Sequence, residues 1–454
     1  MAHKNETQLA NYSRKDDPDK IILCPRKLPL KAFDEETLPY QITLPNGEKR
    51  AVFDRAICIK RDWGEAIWMN KTNKLSERER TNCQVVVIPP RSEKKGNGDF
   101  SNELIKDLKT NQISKSPVAI LERTKYEVVE YGKKIVGQQN VKSVYIVASA
   151  VSEDDLADII SVAQEYKDNG AIEVNLIAPF IKDGREDKNV DKSKDSKSGT
   201  YNGKVIKIKN VMRKLSGLVD RIVTYEPHSG ATQTFAAIND IALAPISLEE
   251  EMIGEIKDRV MQERKKWVVV RPDAGRNLVA TRIEKLFDIR GVHLEKLRDS
   301  VSRASSTDKL SADERKALKG KNTILYDDEG GTLGTIKDIV IKKFIPARVA
   351  SINIFLAHAR LQKKWRKNLD IIVKEARTHN IPLNIYFSDS RRPLGNLKLA
   401  IRDHRNIKII SVKDKVKKTI KACMAGINLW RDKQFEGSDW ERLLLQPIEG
   451  IDSN

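Results

Sequence analysis

The feature that most constrains this chain is a rhythm of short apolar runs separated by stretches of helical periodicity. From Val85 onward the runs are residues 85–88, 144–148, 174–178, 222–225, 268–270, 324–326, 352–356, 384–387 and 407–412. Apolar runs this short predict strands covered on both faces, and the helical stretches between them supply the cover. After 144–148, Leu156, Ile159, Ile160 and Ala163 fall at i, i+3, i+4 and i+7, with Ser152 as the expected N-cap. The pattern predicts an α/β fold with parallel sheets flanked by helices. At 454 residues the chain is long enough for two or three domains.

Residues 1–80 break the rhythm with strand-like pieces at 21–24, 41–44 and 51–59 around turn signals such as Pro45-Asn46-Gly47, which predicts a small β-rich extension. Residues 182–201 and 299–321 are polar and charged and read as mobile loops or insertions. Each follows a strand, where ligands of open α/β sheets bind, so both are candidate lids.

No run reaches the eighteen apolar residues that span a bilayer, and the N-terminus lacks the apolar core of a signal peptide, so no membrane is expected and the cytoplasm is the expected location. Cys24, Cys58, Cys83 and Cys423 are scattered without CxxC spacing and read as reduced thiols. Lys and Arg number 83 against 64 Asp and Glu, a net charge of +19, so anions are attracted. Aromatic residues are only 6%, and no zinc-finger, RRM or basic-zipper pattern occurs, which argues against a nucleic-acid partner. Residues 337–377 hold eleven Lys or Arg against three Asp or Glu, alternating with apolar residues as on solvated helix faces.

Residues 322–344, NTILYDDEGGTLGTIKDIVIKKF, carry the most chemistry. A strand expected to end at Tyr326 leads into Asp327 and Asp328, then a loop of Gly330, Gly331, Thr332, Gly334 and Thr335, then a helix with Ile336, Ile339 and Val340 on one face. A glycine-rich turn opening a helix presents backbone N–H groups to a phosphate, and adjacent carboxylates suit a vicinal diol or Mg²⁺. The combination points to a sugar phosphate; an ordinary Asp/Gly-rich turn has the same composition. No GxxxxGK[ST] occurs, so this is not a Walker P-loop.

The stretch DDEGGTLGT at 327–335 resembles the DDxxDTGGT ribose-phosphate signature of the phosphoribosyltransferase fold, and specifically of the ribose-phosphate pyrophosphokinases, or phosphoribosyl pyrophosphate synthetases. Four more segments resemble that family in order. PFIKDGREDK at 179–188 is similar to PYxxYxRQDK; YEPHSGATQTF at 225–235 to DLHxxQxQGF; RPDAG at 271–275 to SPDxGG; and Lys296-Leu297-Arg298 to the KxR of a catalytic flexible loop. The resemblance covers about residues 83–430. It implies an N-terminal half at 81–245, a phosphoribosyltransferase-like half at 246–411, and a segment 412–454 returning to the first half.

The activity the resemblance implies is transfer of a diphosphate group from ATP, with Mg²⁺, to the anomeric hydroxyl of ribose 5-phosphate, releasing AMP. It would assign Asp327 and Asp328 to the ribose hydroxyls or the metal, and Gly330, Gly331, Thr332, Gly334 and Thr335 to the 5-phosphate. It would assign Arg185, Asp187 and Gln233 to ATP, His228 and Asp273 to Mg·ATP, and Lys296, Arg298 and His228 to catalysis. The resemblance also implies small-molecule substrates and a homo-oligomer. From the residues alone, His228 has a strand-end histidine as its alternative, and Asp273 a helix cap. His3, His293, His358, His379 and His404 show no ligand spacing and read as ordinary surface or core residues.

The chain departs from the family pattern at Gly331 (Asp in the signature), Leu333 (Gly) and Arg276 (Gly), and no FxDGE segment is recognisable near Glu127. A lost carboxylate at Gly331 opens volume, and Leu333 is expected to add an apolar side chain nearby. Two alternatives follow: an acceptor such as ADP-ribose, or a synthetase-like regulatory subunit without turnover.

Overall fold

The structure is a computed structural model that describes residues 40–43, 49–52, 71, 75–76, 83–91, 100–110, 118–122, 126–130, 133–134, 141–187, 190–191, 200–201, 205–271, 277–294, 310–391, 395–426 and 429. The chain divides into two compact units, Met1–Ile246 with Lys413–Asn454, and Ser247–Val412. Among the described residues no helix is long and apolar enough to cross a membrane.

In the first unit β1 (Tyr40–Thr43) and β2 (Lys49–Val52) form an antiparallel pair on either side of the Pro45-Asn46-Gly47 turn signal. The strand-like pieces at 21–24 and 53–59 lie outside the described residues. The main sheet draws on β3 (Cys83–Val87), β4 (Val118–Glu122), β5 (Glu127–Glu130), β6 (Lys133–Lys134), β7 (Ser143–Val147) and β8 (Glu173–Ala178). A two-strand ladder of β9 (Val190–Asp191) and β10 (Thr200–Tyr201) precedes β11 (Arg221–Tyr225) and β12 (Ala242–Ile246). The order is β12-β11-β8-β7-β3-β4-β5-β6, with only the β4–β5 and β5–β6 pairs antiparallel.

The first-unit helices are α1 (Phe100–Thr110), α2 (Glu153–Asp168), α3 (Lys207–Leu215) and α4 (Ala231–Ile238). Ser152 caps α2 as expected, in a full capping box with Asp155. Ile159 and Val162 of α2, Met212 of α3 and Phe235 of α4 bury against Val86, Ile146, Leu176 and Ile222 of the strands. Burying side chains of this size contributes about 1.5–3 kcal/mol each.

The second unit contains α5 (Glu249–Gly254), α6 (Lys257–Gln262), β13 (Trp267–Arg271), α7 (Asn277–Phe287), β14 (Arg290–His293), α8 (Ala312–Leu318), β15 (Asn322–Gly331), α9 (Gly334–Ile339), α10 (Ile345–Ala347), β16 (Ser351–Leu361), α11 (Trp365–Thr378), β17 (Leu383–Ser388), α12 (Gly395–Asp403) and β18 (Ile407–Ile410). All five strand pairs in the order β14-β13-β15-β16-β17-β18 are parallel. Ile336, Val340, Phe344, Leu369 and Ile372 pack on Leu325, Ile352, Ile354 and Phe387. A helix α13 (Lys413–Met424) then returns to the first unit, where Tyr225 Oη and Thr419 Oγ1 lie 3.1 Å apart and Lys417 Nζ donates to Asp107 Oδ2 at 3.3 Å.

The expected α/β class, with two mainly parallel sheets flanked by helices, is the one observed. In the two main sheets periodicity missed β4, β5, β6, β12 and β14; runs such as Ala242-Leu243-Ala244-Pro245 combine helix formers with a breaker, and β6 is only Lys133-Lys134. Two predicted loops contain structure. Residues 299–321 include α8, started by a capping box of Ser311 and Glu314, and 182–201 include the β9–β10 ladder.

Candidate functional site

Each sheet carries a cluster of the predicted residues at the carboxyl ends of its strands, and each cluster is described on its own unit. In the second unit β13 pairs with β15 only as far as Leu325, whereas β16 stays paired to Gly331 through Leu361. The acidic doublet therefore begins where β15 outruns β13, at the rim of the sheet. Charge is tolerated on a central strand only at such a point. The strand does not end at Tyr326 as the sequence suggested; it continues through Asp327, Asp328, Glu329, Gly330 and Gly331, with a bulge between Glu329 and Gly331. Parallel pairing with β16 outweighs the low strand propensity of Asp and Gly.

Asp327 is half-buried and Asp328 is buried; the Asp328 N–H donates to Asp327 Oδ1 at 2.9 Å. Gly331 and Leu333 have φ of +51° and +58°, in the left-handed region. Glycine meets that demand without strain at 331, while leucine at 333 is held there by its packing. Leu333 is 2% exposed and belongs to the core with Leu356 and Ile336. The apolar side chain that Leu333 was expected to add nearby fills the core beneath the turn. A Cβ at Gly330 would stand 2.9 Å from Leu361 Cδ2, so a side chain there would require the Leu361 side chain to shift.

The turn is fixed from several sides. Leu333 N–H donates to Gly330 O at 2.9 Å and Gly334 N–H to Thr332 Oγ1 at 3.2 Å. Gln362 N–H reaches Gly331 O at 2.9 Å, and Asn368 Nδ2 reaches Thr332 O at 2.7 Å. Thr332 and Thr335 are exposed, and Gly334 is half-buried. The turn opens α9, whose first N–H groups have no intrahelical acceptor. The expected buried face of Ile336, Ile339 and Val340 is present, and the helix passes through a π turn (Val340–Phe344).

Residues that sequence reasoning did not assign to this rim complete it. Arg360 Nη1 donates to buried Glu329 Oε2 at 3.1 Å, across the β15–β16 ladder. His358, paired in register with Glu329, is 3% exposed, and its Nδ1 lies 2.7 Å from Ser390 Oγ. The Ser388 and Ser390 hydroxyls both donate to Ala357 O. The available signal was alternation, since His358 and Arg360 lie two apart on one strand, opposite the DDEGG run.

In the first unit, residues 179–187 follow β8 and fold back beside the end of β11. Ser229 Oγ donates to Asp187 Oδ2 at 2.7 Å, and a Cβ on Gly184 would lie 3.5 Å from His228 Cβ. Two segments about forty residues apart in sequence, predicted to serve one ligand, are thus adjacent. Arg185 is exposed, His228 and Gln233 are half-buried, and Asp187 is buried. The loop is anchored by Ala150 N–H to Phe180 O at 2.9 Å and Lys182 N–H to Ala150 O at 2.8 Å.

A charge clamp holds its base. Lys182 Nζ donates to Glu153 Oε1 at 2.5 Å, and Lys214 Nζ to Glu153 Oε2 at 2.9 Å. These two hydrogen bonds pull the Glu153 carboxyl down to about 2. Burial works against the Lys182 ammonium, yet hydrogen bonds to Glu153 and Asp183 leave its pKa raised. Asp273, Lys296 and Arg298 lie outside the described residues.

The donor set suits a particular kind of metal binding. Among the described residues no group of three or more His, Cys, Asp or Glu is arranged to hold a metal ion. Asp327 and Asp328 supply two carboxylates in succession at the sheet rim, a number that fits Mg²⁺, an ion held by one or two carboxylates plus ligand phosphates. It does not fit an all-protein metal cage.

No protein-family model matches the chain. Over 194 residues, 41% of this chain, the sequence is 25% identical to a ribose-phosphate pyrophosphokinase of Methanopyrus kandleri, of which 58% is covered. A ribose-phosphate pyrophosphokinase of Methanobrevibacter smithii is 25% identical over 41% of this chain and 60% of the relative. That of Halobacterium salinarum is 23% identical over 50% of this chain and 74% of the relative. The chain thus spans about 60% of the length of the first two relatives. The fold matches the crystal structure of phosphoribosylpyrophosphate synthetase from Mycobacterium smegmatis with a TM-score of 0.53 and 18% identity, covering 75% of this chain and 98% of that one. The family resemblance read in the sequence therefore holds: this chain is similar in sequence to the ribose-phosphate pyrophosphokinases and shares the phosphoribosylpyrophosphate synthetase fold.

Proposed function

We propose that the protein transfers a diphosphate group from ATP to the anomeric hydroxyl of a 5-phosphoribosyl compound, ribose 5-phosphate being the acceptor, and releases AMP. The observation that carries this reading is the acidic doublet at the sheet rim, followed within one strand by a fixed Gly/Thr turn that opens a helix. In this reading Asp327 and Asp328 grip the ribose hydroxyls or the cation, and Gly330, Gly331, Thr332, Gly334 and Thr335 receive the 5-phosphate. Arg185, Asp187 and Gln233 bind the nucleotide, with His228 and Asp273 beside its phosphates and metal. Mg²⁺, when bound, neutralises charge on the phosphate oxygens.

The chain's own contribution is positioning, because diphosphoryl transfer asks for in-line geometry and charge neutralisation more than covalent chemistry. The Arg360–Glu329 pair and the Gln362 and Asn368 hydrogen bonds hold the turn from moving as the sugar binds. Lys296 and Arg298, by resemblance, add positive charge to the transferring group. A soluble, oligomeric, cytoplasmic enzyme is the setting that goes with this activity.

Gly331 favours a second reading. Hydrogen in place of the signature carboxylate leaves room and less negative charge beside the 5-phosphate, which suits ADP-ribose, whose 5-phosphate carries a further group. Mass spectrometry of products from Mg·ATP with ribose 5-phosphate or ADP-ribose, in parallel, separates the two. AMP with phosphoribosyl pyrophosphate supports the first reading, AMP with ADP-ribose pyrophosphate supports the second, and nucleotide binding without AMP rejects both in favour of a regulatory subunit.

A further inference from the structure

The first-unit rim holds a cation that the proposed roles leave unused. Lys209 of α3 is half-buried, and among the described residues its ammonium has neither a hydrogen-bond acceptor nor an acidic partner.

Its place follows from helical spacing. Ile208, Val211, Met212 and Leu215 form the buried face of α3. Lys207 and Lys214 fall on one flank of that face, where Lys214 Nζ reaches Glu153 of α2. Lys209 and Arg213, four residues apart, fall on the other flank. The strand order β12-β11-β8-β7 puts α3, which joins β8 to β11, between α2 and α4 on one face of the sheet. With α2 on the Lys214 flank, Lys209 faces the start of α4, which follows His228 and Ser229 and carries Gln233. The same end of α3 is tied to the loop, since Lys207 N–H donates to Glu186 O at 3.0 Å and Ser229 Oγ bonds Asp187. Lys209 thus stands in the corner between residues 185–187 and 228–233, the two segments proposed to bind the nucleotide.

Three terms oppose a positive charge at this point. The first turn of α3 has two lysines and no acid, the reverse of what a helix dipole favours. Burial, and after it the charge of Arg213, push the Lys209 pKa down. Lys182 and Lys214, by contrast, are neutralised by Glu153. An anion arriving from outside the chain would offset all three terms at Lys209.

We propose that Lys209 is a further nucleotide-binding residue, whose ammonium receives an oxygen of the phosphate chain of ATP. The inference rests on the reading of this rim as the nucleotide site, and it sets the phosphate chain against the α3 side of the corner.

The test is calorimetric titration of the full chain with Mg·ATP. The variants are Lys209→Met, Lys209→Arg and a charge control at an exposed position of α11, Lys374→Met. A hydrogen bond between charged groups predicts ATP binding at least about tenfold weaker in Lys209→Met, stronger in Lys209→Arg than in Lys209→Met, and unchanged in Lys374→Met. Thermal unfolding separates binding from support of the fold. Methionine removes a charge that its surroundings disfavour, so Lys209→Met should melt at or above the wild-type temperature, whereas loss of a purely structural residue lowers it. Acetylation of the wild type with acetic anhydride, read by peptide mass spectrometry, should mark Lys209 less when Mg·ATP is present. Adenosine, which has no phosphate, should leave the marking unchanged. Undiminished ATP affinity in Lys209→Met, a lowered melting temperature in that variant, or equal protection by adenosine overturns the inference and leaves the nucleotide site in place. Failure of ATP to bind the wild type overturns the underlying reading together with it.

Discussion

The carboxyl rims of the two sheets are built by different means. In the second unit the rim is the strand itself: β15 carries the doublet and two of the turn's three glycines, Gly330 and Gly331, locked by the β16 ladder, the Arg360–Glu329 pair and buried hydroxyl bonds around His358. In the first unit the rim is a loop leaning on α2 and α3, held by the exposed Glu153 clamp, two backbone hydrogen bonds at Ala150 and the Ser229–Asp187 hydrogen bond. A site made from paired strand is pre-shaped and pays little ordering entropy on binding. A site made from a charge-clamped loop answers to pH and salt. The proposed sugar site should therefore be rigid and the proposed nucleotide site adjustable.

The sharpest way to break this contrast is to neutralise the doublet. Asp327→Asn/Asp328→Asn should lower AMP formation by about 10²-fold or more through lost positioning, with thermal unfolding of the second unit little changed, as read by coupled AMP assay and calorimetry. Next in size, Arg360→Ala removes a charged partner of buried Glu329 and should destabilise the second unit by about 3 kcal/mol. The double variant Arg360→Met/Glu329→Leu should recover most of that loss, and urea unfolding measures both. Gly331→Ala asks a β-carbon to adopt φ +51° and should cost about 1–2 kcal/mol. Gly331→Asp should cost less, since Asp visits that region more readily, and should narrow any preference for a larger acceptor.

The smallest effect belongs to the clamp. The folded-state Glu153 pKa, about 2, lies below its ordinary value of 4.5. A depressed acid adds stability above its unfolded pKa and loses that share as pH falls from about 4.5 through 2. Because Glu153 is 59% exposed, solvent screens the gain to at most about 1 kcal/mol. Glu153→Gln should flatten the wild-type melting curve over that acid window and raise the KM for ATP more than it lowers kcat. A change in kcat alone would mean the clamp acts on something other than the loop.

How much of this was legible in the sequence follows from the same contrast. Buried parallel strands announce themselves as apolar runs, so the nine runs lie on nine strands of the two sheets. The Ser152 cap was readable because its capping partner is local. The continuation of β15 past Tyr326 was not, since Asp and Gly argue against strand and only the distant β16 ladder overrides them. The orientation of Leu333 was hidden for a similar reason: one left-handed residue turns its side chain from the expected site into the core. Pairings such as Ser229–Asp187 and His358–Ser390 link segments more than thirty residues apart, and a single sequence carries no record of them.

The proposed reaction requires the doublet and its turn to hold a phosphorylated sugar for attack on ATP. Incubating the full chain with Mg·ATP and ribose 5-phosphate, and resolving products by mass spectrometry, tests it most directly. The predicted result is AMP and phosphoribosyl pyrophosphate in equal amounts from the wild type and neither from Asp327→Asn/Asp328→Asn. Undiminished AMP formation by that double variant, or ATP bound with no AMP from either ribose 5-phosphate or ADP-ribose, contradicts it.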